Sequence, residues 1–244
     1  MNILSLRKSM PAILCISVSF LSTNGLAKRR PPAGGRVSVV VDERLSALRA
    51  SPELSGILVK RIGRGVLLAV KGEKRSRDGV VFYRVMVTTR TSGWIQRDAV
   101  VSPARVGDDA RLLRLIKGSE DFDLIARTRI FLDNFRASAL RPEVLSIYSQ
   151  AADEIADRLS REARRRLNEK EMDAGGAPLH SYFLNYSGLD RYNRQGITFV
   201  FDFHEKRLRY DGEGWRELVH RYPHSPEAAE ARKRLESRSA RGLR

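Results

Sequence analysis

The chain has little cysteine, fewer acidic than basic side chains and no long apolar run, and these shortages limit the folds and partners it can have. Its 244 residues include one cysteine, so an internal disulfide and a cysteine-based metal cluster are both excluded. No apolar run is long enough to cross a bilayer as a stable helix. Acidic residues number 29 against 45 lysines and arginines, and the resulting formal charge of +16 favours anionic partners.

Recognisable catalytic motifs are also missing. There is no G-x-S-x-G nucleophile elbow, and the Gly63/Gly65 pair lacks the Lys-Ser/Thr that completes a phosphate-binding loop. His220 and His224 are four residues apart, but Pro223 between them ends any helix that could place them on one face. We therefore predict a protein that is not an enzyme and that holds no metal and no cofactor.

Residues 1–27 have the three-part pattern of a secretory signal peptide. A basic pair, Arg7 and Lys8, precedes the apolar run 11–21, and after a polar stretch the small residues Gly25 and Ala27 suit signal peptidase. The alternative is an uncleaved anchor helix, but the run is about half of the ~20 residues that a span needs. We predict cleavage after Ala27, which leaves no transmembrane anchor.

Cleavage would also remove the sole cysteine, which suits an oxidising compartment. We therefore expect an exported protein in the periplasm or cell envelope of a bacterium, where nucleic acid is not an expected partner. Most of the positive excess lies in 28–104, which holds 16 basic residues against 6 acidic ones. Phosphorylated lipids and the carboxylates of cell-wall peptides are both suitable anionic partners, and a charge that serves solubility alone is the alternative.

The mature chain begins with a short segment that carries no apolar periodicity. Residues 28–36 are rich in Pro, Gly and Arg, which predicts a flexible linker. Residues 37–104 then contain short β-branched runs separated by turn residues every 8–12 positions. This pattern is typical of a small barrel or sandwich.

Three ordered pieces of this segment resemble the bacterial SH3-like (SH3b) family. They are ALRASP at 47–52, IGRGVLLAV at 62–70, and FYRV at 82–85 followed by GWI at 93–95. The resemblance covers about 65 residues and implies a small SH3-like β-barrel at 37–104. In that family, shallow grooves lined by aromatic residues commonly bind cell-wall peptides. The resemblance therefore implies that Phe82, Tyr83 and Trp94 are ligand-binding residues, although each could instead fill the core of a small domain.

From residue 105 the apolar spacing becomes helical. Helices are predicted through 105–238, with a β-hairpin inserted at 197–210, and 239–244 is predicted to be a disordered tail. Segments 131–138 and 218–225 share a helix end, an aromatic residue and a serine at an offset of 87 residues. This arrangement resembles the helix hairpins of tetratricopeptide-like envelope proteins, without their regular repeat.

The sequence thus predicts an α+β protein, with a small SH3-like β-barrel followed by helix hairpins and a short β-hairpin. We expect an exported, non-catalytic protein whose SH3-like part binds peptidoglycan or another anionic wall component. The alternative is a protein–protein adapter in an envelope assembly that docks its partner on the helix hairpins. An enzyme with an unrecognised site is a third hypothesis, which predicts buried titratable groups in one cleft.

Overall fold

The computed structural model describes residues 34–242. The predicted signal peptide at 1–27 and most of the predicted linker at 28–36 lie outside the described residues, as do 243–244. Within the described range the chain is an α+β protein, as the sequence predicts. None of the described helices is long and apolar enough to cross a membrane.

The first half forms one antiparallel sheet. Its strands are β1 (Arg36–Val40), β2 (Ala47–Arg49), β3 (Leu58–Arg61), β4 (Leu67–Arg75), β5 (Val81–Thr88), β6 (Thr91–Gln96) and β7 (Val100–Val101). They lie in the order β3-β2-β6-β5-β4-β1-β7. The β-branched and aromatic residues of 37–101 favour strands because their side chains pack well on a pleated surface.

The predicted small SH3-like barrel is wrong, because the sheet is open. A closed barrel requires its two outermost strands to pair with each other, and β3 and β7 remain the two free ends of the sheet. The apolar side chains of Val39, Val41 and Val101 join the core formed by the helices. Their neighbours Val40 and Val100 point to the opposite face and join a separate cluster within the sheet, so β1 and β7 are buried on both faces.

The second half is helical, as predicted. Its helices are α1 (Asp108–Lys117), α2 (Asp121–Asn134), α3 (Arg141–Arg166), α4 (Glu169–Gly175), α5 (Leu179–Leu184), α6 (Asp190–Asn193), α7 (Glu213–Arg221) and α8 (Pro226–Gly242). The predicted β-hairpin is confirmed as β8 (Phe199–Asp202) paired with β9 (Arg207–Tyr210). Helix α8 extends four residues into the predicted tail at 239–244.

Sheet and helices pack together through a shared core and through polar contacts. Arg127 of α2 is 6 % exposed, and its Nε donates to the carbonyl oxygen of Val41 at 3.2 Å. Arg64, in the loop before β4, donates to the carboxylate of Asp123 at 2.7 Å. These contacts join the two halves of the chain at one interface.

The repeat seen in the sequence corresponds to two similar turns. Helices α2 and α7 each end beside an aromatic residue, Phe135 or Tyr222, whose amide donates to the carbonyl four residues earlier. The amide of Ser138 or Ser225 then donates to the carbonyl of that aromatic residue, at 3.2 and 3.0 Å. The pairs α2–α3 and α7–α8 are therefore helix hairpins with matching connections.

Candidate functional site

Of the three residues that the SH3b resemblance implies as ligand contacts, two are buried. Phe82 is 0 % exposed and Tyr83 is 3 % exposed, whereas Trp94 is half-buried. The hydroxyl of Tyr83 accepts a bond from Arg105 at 3.2 Å, and the Arg36 guanidinium lies 5.2 Å from its ring centroid. Of the three, Trp94 keeps an accessible surface.

Trp94 lies in a row of side chains that crosses five strands. It pairs directly with Arg49 of β2 on one side and with Arg84 of β5 on the other. The pairing continues from Arg49 to Leu58 of β3 and from Arg84 to Gly72 of β4. Residues directly opposite each other in antiparallel strands project on the same face. We call these five residues the Trp94 row.

The row is accessible and positively charged. Leu58 is 49 % exposed, and the side chain of Arg84 is exposed with no ion-pair partner among residues 34–242. Arg49 is half-buried, and its guanidinium donates to the carbonyl oxygen of Gly56 at 2.7 Å. Lys74 lies two residues along β4 from Gly72 and is also exposed. An aromatic ring between guanidinium groups can contact an apolar or sugar surface while its neighbours bind carboxylates.

Two glycines shape this part of the sheet in opposite ways. A Cβ at Gly93 would lie 2.7 Å from the carbonyl oxygen of Arg49 and 2.9 Å from Leu48 Cγ, so β2 can approach β6 only without a side chain there. A Cβ at Gly72 would meet nothing within 4 Å. Gly93 therefore permits the pairing that places Arg49 beside Trp94, and Gly72 leaves open space beside Arg84.

We expect Gly93→Ala to destabilise the protein by about 1–3 kcal/mol, because the added methyl group overpacks the β2–β6 contact. The control is Gly72→Ala, which is expected to change the free energy of unfolding by less than about 0.5 kcal/mol. Urea unfolding followed by circular dichroism measures both. If the two substitutions changed the free energy of unfolding equally, the close contact between β2 and β6 at Gly93 would not matter for stability.

A cavity of about 450 Å³ opens on the other side of this sheet. It lies between β3 and the start of β4, beside the end of β5. Its apolar lining includes Val66 and Val87, which pack against the cluster on the face opposite Trp94. The exposed side chains of Lys60 and Arg61 lie at its edge. None of the three implied ligand contacts lines this cavity.

Buried titratable groups are found mainly among the helices. Burial raises the pKa of Asp153, against the opposing effects of the Trp215 indole and Arg238. One carboxylate oxygen accepts from Trp215 Nε1 at 3.0 Å and the other accepts from Arg238. Both oxygens of Asp153 therefore have partners within the fold. Across 34–242, no group of three or more His, Cys, Asp or Glu side chains could hold a metal ion.

Pattern reasoning from the sequence missed the two arginines of the Trp94 row. Alternation along 82–87 places Arg84 on the opposite face of β5 from Tyr83 and Val85, so its exposure could be read from the sequence. Its position beside Trp94, with Arg49 on the far side, depends on strand register. No local signal in the sequence sets that register.

Comparison with known proteins finds no match among protein-family models, curated proteins or solved structures. The resemblances to SH3b domains and to tetratricopeptide-like hairpins therefore remain predictions from the motifs.

Proposed function

We propose that this protein is an exported, non-catalytic binding protein of the bacterial cell envelope. Its ligand is peptidoglycan or another anionic wall component, which it binds at the Trp94 row without a cofactor. The observation that carries this proposal is the half-buried Trp94 between Arg49 and Arg84 on one face of the sheet. Export rests on the signal pattern at 1–27, and the ligand class rests on the SH3b resemblance of 47–95.

The chemistry of the row suits a wall peptide. Stem peptides carry carboxylates, which arginine binds through two parallel hydrogen bonds. The indole of Trp94 offers a large apolar surface with little conformational entropy to lose. The open space at Gly72 allows a ligand to approach Arg84 closely.

The test is a pelleting assay of the full chain with purified peptidoglycan sacculi across a salt series. We expect binding to persist at about 150 mM salt, where the Debye length is roughly 8 Å and long-range attraction is screened. Trp94→Ala and Arg84→Ala are each expected to weaken binding about tenfold or more, because central aromatic and arginine contacts dominate interfaces.

The matched control is Arg77→Ala, which removes the same charge from an exposed turn between β4 and β5. Its binding at about 150 mM salt is expected to equal that of the parent chain. Pelleting only at low salt would show that the interaction is general charge attraction and not binding at the Trp94 row. An equal loss of binding in Arg77→Ala and Arg84→Ala would show the same. No pelleting at any salt would refute the proposal.

The adapter function is the second candidate, because the helical region exposes an aromatic cluster. Phe203 is 69 % exposed, and its ring centroid lies 5.2 Å from that of His180 and 5.4 Å from that of Phe201. An adapter predicts an envelope complex that Phe203→Ser abolishes and Trp94→Ala leaves intact, measured by co-purification from envelope extracts. Wall binding predicts the opposite pattern in the sacculus assay.

A further inference from the structure

One edge of the large sheet is open within the described part of the chain. At one end of the sheet, Val100 and Val101 of β7 are 1 % and 0 % exposed. At the other end all four residues of β3 are exposed, and β3 pairs only with β2. Ile57, just before β3, is 78 % exposed, and Val59 is 49 % exposed. An exposed edge strand with apolar side chains is a place where another strand can pair.

The backbone of Arg61 in β3 faces this open edge. The amide of Ile62 donates toward β2, to the carbonyl of Ser46 at 3.1 Å, and Arg61 lies directly opposite Ala47. Successive residues of an antiparallel strand direct their backbone groups alternately to one side and to the other. Since Ile62 bonds toward β2, the amide and the carbonyl of Arg61 point away from it. An added strand would therefore find one donor and one acceptor at Arg61.

The cavity of about 450 Å³ borders the same edge, and its charged lining is entirely basic. Lys60, Arg61 and Arg64 line it, and none of the described lining residues is acidic. Arg64 is paired with the carboxylate of Asp123 at 2.7 Å. The side chains of Lys60 and Arg61 have no hydrogen-bond or ion-pair partner among residues 34–242. Two unpaired cations beside an apolar cavity favour a ligand that carries carboxylates.

The two unpaired cations lie on opposite faces of β3. Lys60 is directly opposite Leu48, which belongs to the buried cluster on the cavity side. Residues directly opposite each other project on the same face, so Lys60 projects toward the cavity side. Arg61, one residue along the strand, projects on the other face. An added strand therefore meets one cation on each face at neighbouring positions.

We propose that β3 binds an extended acidic segment of a partner protein by strand addition. The backbone of the partner segment bonds to the amide and the carbonyl of Arg61. Two neighbouring carboxylates of the segment meet Lys60 and Arg61, and an apolar side chain enters the cavity beside Val66 and Val87. The cavity lies on the face opposite Trp94, so this site is independent of the wall-binding proposal.

Charge complementarity favours an acidic partner over two other occupants of the edge. A second copy of this chain would bring another Lys60 and another Arg61 to the same edge. The chain's own segment 28–30 is Lys-Arg-Arg, which the cations of β3 would repel. An acidic segment instead supplies the charge that the edge and the cavity lack.

The test is fluorescence anisotropy of a labelled synthetic peptide with the full chain at about 150 mM salt, where long-range attraction is screened. The peptide is Thr-Val-Glu-Glu-Val-Thr with both ends blocked. We expect it to bind with a Kd of about 100 μM or below. Lysine in place of both glutamates is expected to weaken binding by more than about tenfold, because like charges then meet at β3.

Strand addition differs from charge attraction because it uses one edge of the peptide. The amides of the two adjacent glutamates point to opposite edges of an extended peptide. N-methylation of one glutamate should weaken binding about tenfold, because it removes the hydrogen bond to the Arg61 carbonyl. N-methylation of the other should leave the Kd unchanged. Hydrogen exchange of the Arg61 amide should slow when the peptide is bound.

Variants of the chain test the same contacts from the other side. Lys60→Ala and Arg61→Ala should each weaken binding about fivefold, because each removes a charge-assisted contact. Arg61→Pro should weaken it further, since it also removes the N–H at the edge. Proline is tolerated where the N–H of an edge strand faces solvent, and circular dichroism checks the fold. Lys233→Ala, at an exposed position on α8, is the matched control and should bind as the parent chain does.

Three results would overturn the proposal. The first is no binding of the parent peptide at about 1 mM, ten times the weakest expected Kd. The second is an equal effect of N-methylation at the two glutamates, which would leave only charge attraction. The third is protection of the Arg61 amide that rises with protein concentration in the absence of peptide, which would assign the edge to a second copy. None of these results bears on sacculus binding, which uses Trp94 and Arg84.

Discussion

Trp215→Ala is expected to destabilise the fold by about 3–5 kcal/mol, the range for truncating a large buried aromatic residue. Trp215 of α7 is 0 % exposed and belongs to the core shared by the helices and the sheet. Its Nε1 donates to the Asp153 carboxylate at 3.0 Å. The substitution therefore leaves a cavity and removes a buried hydrogen bond. Urea unfolding followed by circular dichroism measures the loss.

Two comparisons separate these effects. Trp215→Phe keeps a buried aromatic ring but removes the N–H donor and part of the indole volume, so we expect a smaller loss of about 1–3 kcal/mol. Trp94→Ala, on the half-buried tryptophan, is expected to cost about 1 kcal/mol. If Trp215→Ala cost no more than Trp94→Ala, Trp215 would not be a core residue.

The loss of stability caused by Trp215→Phe should also depend on pH. The indole N–H favours the ionised form of Asp153, whose pKa burial raises, so its loss raises that pKa further. When the pKa of a carboxyl is higher in the folded state than in the unfolded state, the protein loses stability as the pH rises from the unfolded-state pKa through the folded-state pKa. We therefore expect Trp215→Phe to cost more stability at neutral pH than near about pH 3, where Asp153 is protonated in both the folded and the unfolded state.

Asp108→Ala is expected to destabilise the protein by about 2–4 kcal/mol, because it breaks a buried polar junction between sheet and helices. Asp108 is 3 % exposed and opens α1. One oxygen accepts from the buried Ser102 amide at 2.8 Å, and the other lies 3.4 Å from Arg111 and 3.8 Å from Arg105. Removing the carboxylate leaves the Ser102 amide without its acceptor. Urea unfolding again gives the change.

The matched variants are Asp108→Asn and Asp98→Ala. Asparagine keeps one oxygen that can accept from Ser102, so it should restore part of the lost stability. Asp98 has a side chain that is 52 % exposed beside Arg97, and its loss should change stability by less than about 0.5 kcal/mol. Equal losses for Asp98→Ala and Asp108→Ala would contradict a special role for the buried carboxylate.

Local patterns in the sequence predict most elements of this fold. The β-branched runs between 37 and 101 form strands, 108–117 forms a helix, and the alternating segment near 199–210 forms a hairpin. The same patterns predict matching turns after α2 and α7. Each of these features depends on residues close together in the chain, so spacing and side-chain shape suffice to predict it.

The sequence by itself thus determined the strands, the helices, the hairpin and the excess of positive charge in the first half. Tertiary structure decided that the sheet stays open, that Phe82 and Tyr83 are buried, and that Trp94 lies between Arg49 and Arg84. The physical reason is that closure, burial and register depend on pairing between distant strands. A shift of one residue in that pairing would move every side chain to the other face.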